Sequence, residues 1–193
     1  MLDWSLFMTR WNEKMLKSEY KEEFNLQKLD WLGFPGATQI QIENLEKRIG
    51  MSLPRSYRSF LEFSNGWRNL SCWINQLLST TDIKWFRQDY QDWIDAYLEP
   101  YSEGPPITKQ EHTVYGSAQF PGTFNADYLR DCLQISNQGM SCIFLLNPRV
   151  KNRDDEWEAW FLDNKLPGTE RFPSFEDLMK DHYQRYFVEL LDD

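Results

Sequence analysis

The feature that most constrains this chain is the stretch from Ile40 to Trp67, where two short amphipathic patterns flank a fixed joint. Thr38 and Gln41 stand at the spacing of a capping box, so the first helix is predicted to begin near Gln39. Its apolar stripe follows at helical spacing, at Ile42, Leu45 and Ile49. The pattern therefore predicts an amphipathic helix with one buried face.

The joint between the two patterns carries residues with special backbone preferences. Gly50 stands where a helix usually ends, because a residue without Cβ enters the left-handed region at little cost. Pro54 suits the first position of the next helix, where its missing N–H is no loss. The buried face of that second helix is predicted to consist of Tyr57, Phe60 and Leu61. Asn65-Gly66 then stops the helix and can begin a turn into a strand.

This order of helix, Leu-Pro joint, helix and Asn-Gly stop resembles the SUKH superfamily, the family of the fungal cell-wall assembly regulator and of many bacterial immunity proteins. The resemblance is carried by Ile42, Leu45, Glu46, Gly50, Leu53, Pro54, Tyr57, Phe60, Leu61, Asn65 and Gly66. Further similar blocks follow at residues 133–136, 139, 145–148, 156–160 and 174–179. The likeness covers roughly residues 38–190 in order, with an unusual aromatic insert at about 67–110.

Patterns outside the motif predict helices at both ends of the chain. An N-terminal amphipathic helix is indicated by Trp4, Phe7, Met8, Trp11 and Met15. A closing helix starts at Ser174, and its apolar face is Phe175, Leu178, Met179, Tyr183, Tyr186, Phe187 and Leu190. Strands are predicted at 132–136, 141–146 and 157–162, the first two as a hairpin.

These elements predict an α+β fold. We expect a mainly antiparallel sheet of about five or six strands, flanked by helices at both chain ends. Residues 1–37 are expected to form a helical extension that packs on the domain, and residues 38–193 the SUKH-like domain itself.

The sequence also indicates the cellular compartment in which the protein is expected. No run of ~18 apolar residues occurs, so no membrane-spanning helix is predicted. The N-terminus carries Asp3 and lacks the basic region of a secretory signal. Three cysteines, an odd number without a CxxC pair, argue against a disulfide framework and for a reducing compartment. A cytoplasmic location is expected.

The charge is negative and uneven. Thirty acidic residues stand against 21 basic ones, and residues 151–193 contain 12 acids and 6 bases. This balance disfavours nucleic acid, whose phosphates require Lys and Arg. It favours a basic protein partner, which the negative field would steer during encounter. The alternative is that the charge only maintains solubility.

One predicted helix, between Thr81 and Pro100, separates its carboxylates from its rings. The carboxylates Asp89, Asp92, Asp95 and Glu99 fall within about a third of the circumference at ~100° per residue. The opposite third contains Ile83, Phe86, Tyr90, Trp93, Ile94 and Tyr97. No basic residue lies between Arg87 and Lys109, so the acids have no local partner at helix spacing. The surface can receive Lys and Arg of a partner, or it is simply a solvated face.

A second acidic candidate is Asp154-Asp155-Glu156, in the loop before a predicted strand. Its alternative interpretation is an ordinary charged hairpin turn.

Catalytic chemistry has little support in the sequence. His182 falls near the apolar face of the closing helix, and His112 has no second ligand nearby. Cys72, Cys132 and Cys142 lack the spacing of a zinc site, and no thiol has an identifiable base. Glycine-rich phosphate loops are absent. We therefore predict no enzyme activity, cofactor or metal, although the acidic residues at 154–158 could in principle bind a cation.

The resemblance implies a toxin-neutralising immunity protein that acts by direct binding, with a basic, nuclease-type toxin domain as its partner. Nucleases tend to be basic because they hold phosphates, so an acidic inhibitor can mimic that charge. Aromatic anchors are expected in the insert, at Trp67, Trp73 and Trp85, unless these rings serve the core. The alternative is a scaffold or regulatory module of the cell-wall assembly regulator type, without a toxin partner.

Overall fold

The structure, a computed structural model, describes residues 2–99, 114–120, 122, 124–163 and 168–189 of the chain. Within them, helices at both ends flank a mainly antiparallel sheet, which confirms the predicted α+β class. Residues 100–110 of the predicted insert, His112 and Leu190 lie outside the described residues.

The N-terminal helix α1 spans Trp4–Lys17 and is followed by the short α2, Tyr20–Glu23. Asp3 caps α1, since its side chain accepts the N–H of Leu6 at 3.0 Å. The predicted apolar stripe is confirmed, with buried side chains at Trp4, Met8, Trp11 and Met15.

The motif forms the helix pair α3, Gln39–Ile49, and α4, Arg55–Phe63. Both hydrogen bonds of the Thr38–Gln41 capping box are present, and Gly50 ends α3 at φ +79°. Pro54 lies one residue before the first helical position, where it caps α4 in extended conformation. The predicted core residues of both helices are buried: Ile42, Leu45, Ile49, Tyr57, Phe60 and Leu61.

Two sheets follow the helix pair. The smaller sheet joins β1, Trp67–Arg68, to β2, Gln76–Leu77. The larger sheet has five antiparallel strands in chain order: β3 Lys84–Trp85, β4 Leu133–Gln134, β5 Cys142–Lys151, β6 Trp157–Asp163 and β7 Gly168–Phe172. Helix α6, Phe175–Tyr183, closes the fold and continues as a π-helical turn over Gln184–Glu189.

Side chains of the larger sheet alternate between two cores. One face carries Phe144, Leu146 and Ala159 into a core shared with α1, α3, α4 and α6. The other face carries Ile143, Leu145, Trp160 and Leu162 into a second core, which the insert supplies. The sheet is therefore covered on both faces, by helices on one and by the aromatic insert on the other.

The predicted helix over residues 81–100 is wrong in extent. The chain first forms β3 and a 3₁₀ turn, Phe86–Gln88, and the helix α5 spans only Gln91–Leu98. Pairing of β3 with β4 explains the difference, because Lys84 and Trp85 bond to a strand almost fifty residues away in sequence. The predicted inward face is nevertheless correct, since Ile83 packs in the first core and the other five residues pack in the second.

Candidate functional site

Helix α5 presents its acidic side outward because its aromatic side is fixed against the sheet. Ile94 is fully buried, and Tyr90, Trp93 and Tyr97 pack against the second core. Tyr90 also stacks on Phe86, with ring centroids 4.9 Å apart. The orientation of the helix is therefore set by packing.

Two tyrosines, Tyr90 and Tyr97, hold α5 against the sheet. The hydroxyl of Tyr97 donates to the carbonyl oxygen of Asp163 at 2.9 Å, at the end of β6. Burial raises the pKa of Tyr97 to about 12, with a further contribution from the Asp163 carboxylate. Burial and the neighbouring Asp89 raise the pKa of Tyr90 as well. Both side chains stay neutral and anchor the helix.

The four predicted carboxylates of this segment, Asp89, Asp92, Asp95 and Glu99, are all exposed. We call them the acidic face. Asp95 accepts a hydrogen bond from the side chain of Gln91 at 2.7 Å. Asp89 forms an ion pair with Lys84, so one of the four charges is partly compensated. Among the described residues, Asp92 and Asp95 form no ion pair.

The surroundings of the acidic face extend its negative charge. A 3₁₀ segment, Ala126–Asp131, packs beside α5 and exposes Asp127. Asp131 is paired with both Arg87 at 3.6 Å and Arg149 at 2.6 Å. Residues 82–99 and 124–131 together contain seven carboxylates and three basic side chains. This region of the surface has a clear negative excess.

The second acidic candidate is mostly engaged in the fold. Glu156 accepts both the N–H of Ser56 at 2.8 Å and its hydroxyl at 2.5 Å, so it caps the start of α4. Asp155 is paired with Lys151 at 2.9 Å. Asp154 is exposed. Only Asp154 therefore offers a carboxylate that no described residue compensates.

A cavity of about 380 Å³ lies beside this loop, between the first turns of α4 and α6. Two other carboxylates that line this cavity also accept hydrogen bonds from groups within the protein. Glu176 accepts the N–H of Leu2 at 2.8 Å and the Lys180 ammonium at 2.6 Å, and Asp177 accepts the Ser174 hydroxyl at 2.6 Å. Glu156, Glu176 and Asp177 therefore bind groups within the fold, and we assign no partner to this cavity.

The three predicted aromatic anchors differ in accessibility. Trp67 is wholly inside the first core, 5.0 Å from the ring of Trp31, so it is not available to a partner as predicted. The ring fills the space beside Gly33, where an added Cβ would lie 2.7 Å from it. Trp73 and Trp85 are half-buried. Trp85 packs against the first core, whereas α5 packs against the second, and the guanidinium of Arg87 lies 5.2 Å from the Trp85 ring centroid.

The pKa values of three groups considered for catalysis are shifted away from the range that suits catalysis at neutral pH. His182 is buried and its pKa is lowered to about 3, chiefly by burial. Burial raises the pKa of the Cys72 and Cys132 thiols, so neither is a ready thiolate. Within the described ranges, no group of three His, Cys, Asp or Glu residues could hold a metal ion. None of the described helices is long and apolar enough to cross a membrane.

Sequence reasoning missed two features of this surface. The pairing of Lys84 with Asp89 has no local signal, because the turn after β3 brings the two together outside helical spacing. The contribution of Asp127 was also missed, since no helical or strand pattern marks its segment.

Comparison with known protein families assigns most of the chain to one of them. The family model described as SMI1 / KNR4 family (SUKH-1) matches residues 36–181 of the chain. No curated protein matches it. The matched range includes α3 to α5, both sheets and most of α6, whereas α1 and α2 precede it.

Proposed function

Because this chain belongs to the SMI1/KNR4 (SUKH-1) family, we propose that it is a non-enzymatic immunity protein that neutralises a basic, nuclease-type toxin by direct binding. Members of this family are generally non-catalytic immunity or regulatory proteins, and membership is consistent with either role. The acidic face of α5 is the proposed contact surface.

The observation that carries the proposal is the rigid presentation of the acidic face. Asp92 and Asp95 are exposed on α5, Asp89 and Glu99 flank it, and the opposite side of the helix is held by Ile94 and three aromatic rings. Because packing holds the helix in place, its backbone need not be ordered on binding, which lowers the entropic cost of association. A basic catalytic groove that normally holds phosphates is complementary to such a surface.

Electrostatic attraction supplies the first stage of binding in this proposal. Two proteins whose electrostatic fields have opposite signs associate faster. This gain in rate falls with ionic strength, because salt screens exposed charges. Trp85, which is half-buried and lies four residues before Asp89 in the chain, is the proposed aromatic contact, and such a contact remains at high salt. Occupation of the toxin's groove would exclude its substrate, which is sufficient for neutralisation without any chemical step.

The test first looks for a gene for a basic toxin domain beside this one, whose absence would count against the proposal, and then uses that domain with the triple variant Asp89→Lys, Asp92→Lys, Asp95→Lys. We expect the wild-type protein to restore growth of cells that express the toxin, and the triple variant to fail. Association of the variant should be slower by about tenfold or more at low salt, with a smaller difference at high salt.

A matched control reverses three exposed acids elsewhere, with Glu22→Lys, Glu23→Lys and Glu43→Lys. It changes the net charge by the same amount and should retain binding. Equal loss in both variants would mean that net charge alone matters, and unchanged affinity in the first would refute the acidic face. A stable cellular partner without toxin activity would establish the regulatory role instead.

A further inference from the structure

The larger sheet has two outer strands, β3 and β7, and an open sheet edge is a surface on which a further extended chain can pair. The edge of β7 is occupied by the protein itself. Thr169 and Arg171 are each 1% exposed. The side-chain amide of Gln119 binds both backbone groups of Arg171, its N–H at 2.7 Å and its carbonyl oxygen at 3.1 Å. The edge of β3, in contrast, is accessible.

The outer side of β3 borders a cavity of about 330 Å³, which we call the β3 groove. Ile49 and Ile83 line it as buried residues, and the half-buried Trp85 adds an aromatic ring. The rest of its lining is polar or charged: Arg48, Thr81, Asp82, Lys84 and Gln88. The β3 groove therefore combines apolar and polar contacts, which a bound peptide needs for its side chains and its backbone.

Two backbone groups on the outer side of β3 are bound by side chains instead of a strand. The N–H of Phe86 donates at 2.9 Å to the carbonyl oxygen just before β4, and successive residues of a strand direct their backbone groups to opposite sides. The N–H of Trp85 therefore points outward, where it donates to Oε1 of Gln88 at 2.9 Å. The carbonyl oxygen of Ile83 accepts a hydrogen bond from Nη2 of Arg48, also at 2.9 Å.

These two side chains take the place of a neighbouring strand. The Ile83 carbonyl and the Trp85 N–H flank Lys84, which is the spacing at which one strand binds the next. The amide of Gln88 supplies a carbonyl oxygen and the guanidinium of Arg48 supplies N–H groups, as the backbone of a strand would. Both side chains are exposed, so an incoming chain can exchange their hydrogen bonds for its own without unfolding the edge.

The two faces of β3 determine which side chains such an incoming chain must carry. Trp85 points to the first core, so its neighbour Lys84 points to the face that α5 covers, where it pairs with Asp89 of the acidic face. Side chains of an added strand alternate in the same way. The residue beside Lys84 would face the negative surface around α5, and the residue beside Trp85 would lie against its ring and Ile49. Alternating basic and apolar residues therefore fit both faces.

We propose that the basic partner adds an extended segment of alternating basic and apolar residues to β3, as a further strand of the larger sheet. The backbone of that segment takes over the Trp85 N–H from Gln88 and the Ile83 carbonyl from Arg48, so the number of hydrogen bonds is kept. Affinity comes from contact with the Trp85 ring and from basic side chains directed at the acidic face, and backbone pairing sets the register. This inference rests on the proposed function for the identity of the partner, whereas the strand site can be tested with peptides alone.

The experiment is a titration of the ¹⁵N-labelled full chain with synthetic hexapeptides, followed by NMR at about 150 mM salt. The probes are an acetylated, amidated peptide of alternating lysine and valine, its analogue with every backbone nitrogen methylated, and a peptide of alternating glutamate and valine. We expect the lysine peptide to give saturable shifts at the backbone amides of Lys84 and Trp85, and the glutamate peptide to give none. The methylated analogue keeps the charge and the side chains but lacks the N–H groups of a strand, so its affinity should be lower by about tenfold.

The variant Gln88→Ala tests whether this side chain occupies the strand site. It leaves the Trp85 N–H free for the peptide, so the affinity of the lysine peptide should rise by about threefold. The matched control Gln138→Ala removes an exposed glutamine from the turn between β4 and β5 and should leave the affinity unchanged. Neither substitution alters the net charge.

Four results would overturn the assignment. Equal affinity of the methylated and unmethylated peptides would mean that charge alone attracts them, and equal binding of the glutamate peptide would refute the preference for basic residues. An affinity that does not rise in Gln88→Ala would show that Gln88 does not stand in for a strand. Absence of saturable shifts at Lys84 and Trp85 would show that β3 takes no peptide.

The peptide titration and the toxin assay fail independently of each other. Peptide binding without toxin neutralisation would keep the strand site and refute the toxin partner. Toxin neutralisation by a protein that shows none of these shifts would refute the strand site and keep the proposed function.

Discussion

The Nε2 atom of His182 lies 2.8 Å from Oγ of Ser71, inside the core. The Ser71 hydroxyl already accepts the N–H groups of Trp73 at 3.2 Å and Ile74 at 3.1 Å. Both of its lone pairs are thereby used, so the hydroxyl donates its hydrogen to Nε2. The imidazole is therefore neutral, with its hydrogen on Nδ1, and it is enclosed by the rings of Trp11 and Tyr186.

The first prediction is that His182 makes the fold less stable in mild acid. Its pKa is lowered from 6.5 to about 3 by burial, assisted by Arg185, so protons bind the unfolded chain but not the native one in that window. The free energy of unfolding should fall by roughly 1–2 kcal/mol between pH 6.5 and pH 5 through this residue alone. Well above pH 6.5 the residue is neutral in both the folded and the unfolded state, so it no longer makes the free energy of unfolding depend on pH.

Urea denaturation at a series of pH values measures this effect. The comparison is with His182→Phe, which cannot titrate and should be less stable at pH 7 because the Ser71 hydroxyl loses its acceptor. The difference in stability between the two proteins should shrink as the pH falls from 6.5 to 5. Parallel curves would contradict the assignment of a neutral, buried imidazole.

The second prediction concerns the buried ion pair between β6 and β7. Nη1 of Arg171 lies 3.0 Å from Oε1 of Glu158, and the side chains are 2% and 1% exposed. Glu158 also accepts from Trp160 at 2.6 Å, Asn147 at 3.1 Å and Tyr115 at 3.2 Å. Arg171→Met should lower stability by about 3–5 kcal/mol, because a carboxylate would remain buried without its cation.

The double variant Glu158→Gln, Arg171→Met is the control for that pair. It removes both charges, so its loss of stability should be smaller than the sum of the two single losses. Additive losses in chemical denaturation would show that the two charges do not stabilise each other.

This ion pair also explains why the sequence did not predict β7. Glu170 and Arg171 are charged neighbours, and charged residues are rarely buried, so Gly168–Phe172 has the pattern of a surface turn. Only the partner strand makes the burial of Arg171 possible, and strand partners are not visible in a local pattern. The capping of α4 by Glu156 is hidden for the same reason, since Ser56 is one hundred residues away in sequence.

What could be predicted was local. The ends of α3 follow from Thr38, Gln41 and Gly50, whose side-chain and backbone preferences act within a few residues. The division of α5 into an acidic and an aromatic side follows from helical period alone. The insert's role as a cover for the second face of the sheet needed the structure, because it depends on β3 pairing with β4.

The third prediction separates two neighbours in the acidic loop. Glu156→Ala should lower stability by about 1–2 kcal/mol, because the first turn of α4 loses the carboxylate that accepts the Ser56 N–H. Asp154→Ala should change stability by less than about 0.5 kcal/mol, since its side chain is exposed. Thermal or chemical denaturation of both variants measures the difference. Equal effects of the two substitutions would show that Glu156 does not stabilise α4 as a cap.

The fourth prediction compares two glycines of the motif. Gly50 has φ +79°, and a Cβ added there would meet nothing within 4 Å, so Gly50→Ala should cost about 1–2 kcal/mol from backbone strain alone. Gly66 has φ +101°, and a Cβ there would lie 2.8 Å from the carbonyl oxygen of Leu77. Gly66→Ala should therefore be clearly more destabilising in the same denaturation assay. The reverse order would show that β2 moves away without cost.

The last prediction ranks single carboxylates of the acidic face by their local compensation. Asp89 is already paired with Lys84, whereas Asp92 forms no ion pair among the described residues. Asp92→Asn should therefore slow association with the toxin by about two- to threefold at low salt without changing stability. Asp89→Asn combined with Lys84→Gln removes the pair without altering net charge and should leave the association rate nearly unchanged. Stopped-flow measurements at two salt concentrations distinguish these outcomes, and an equal slowing by both changes would mean that the Lys84–Asp89 pair opens when the partner binds.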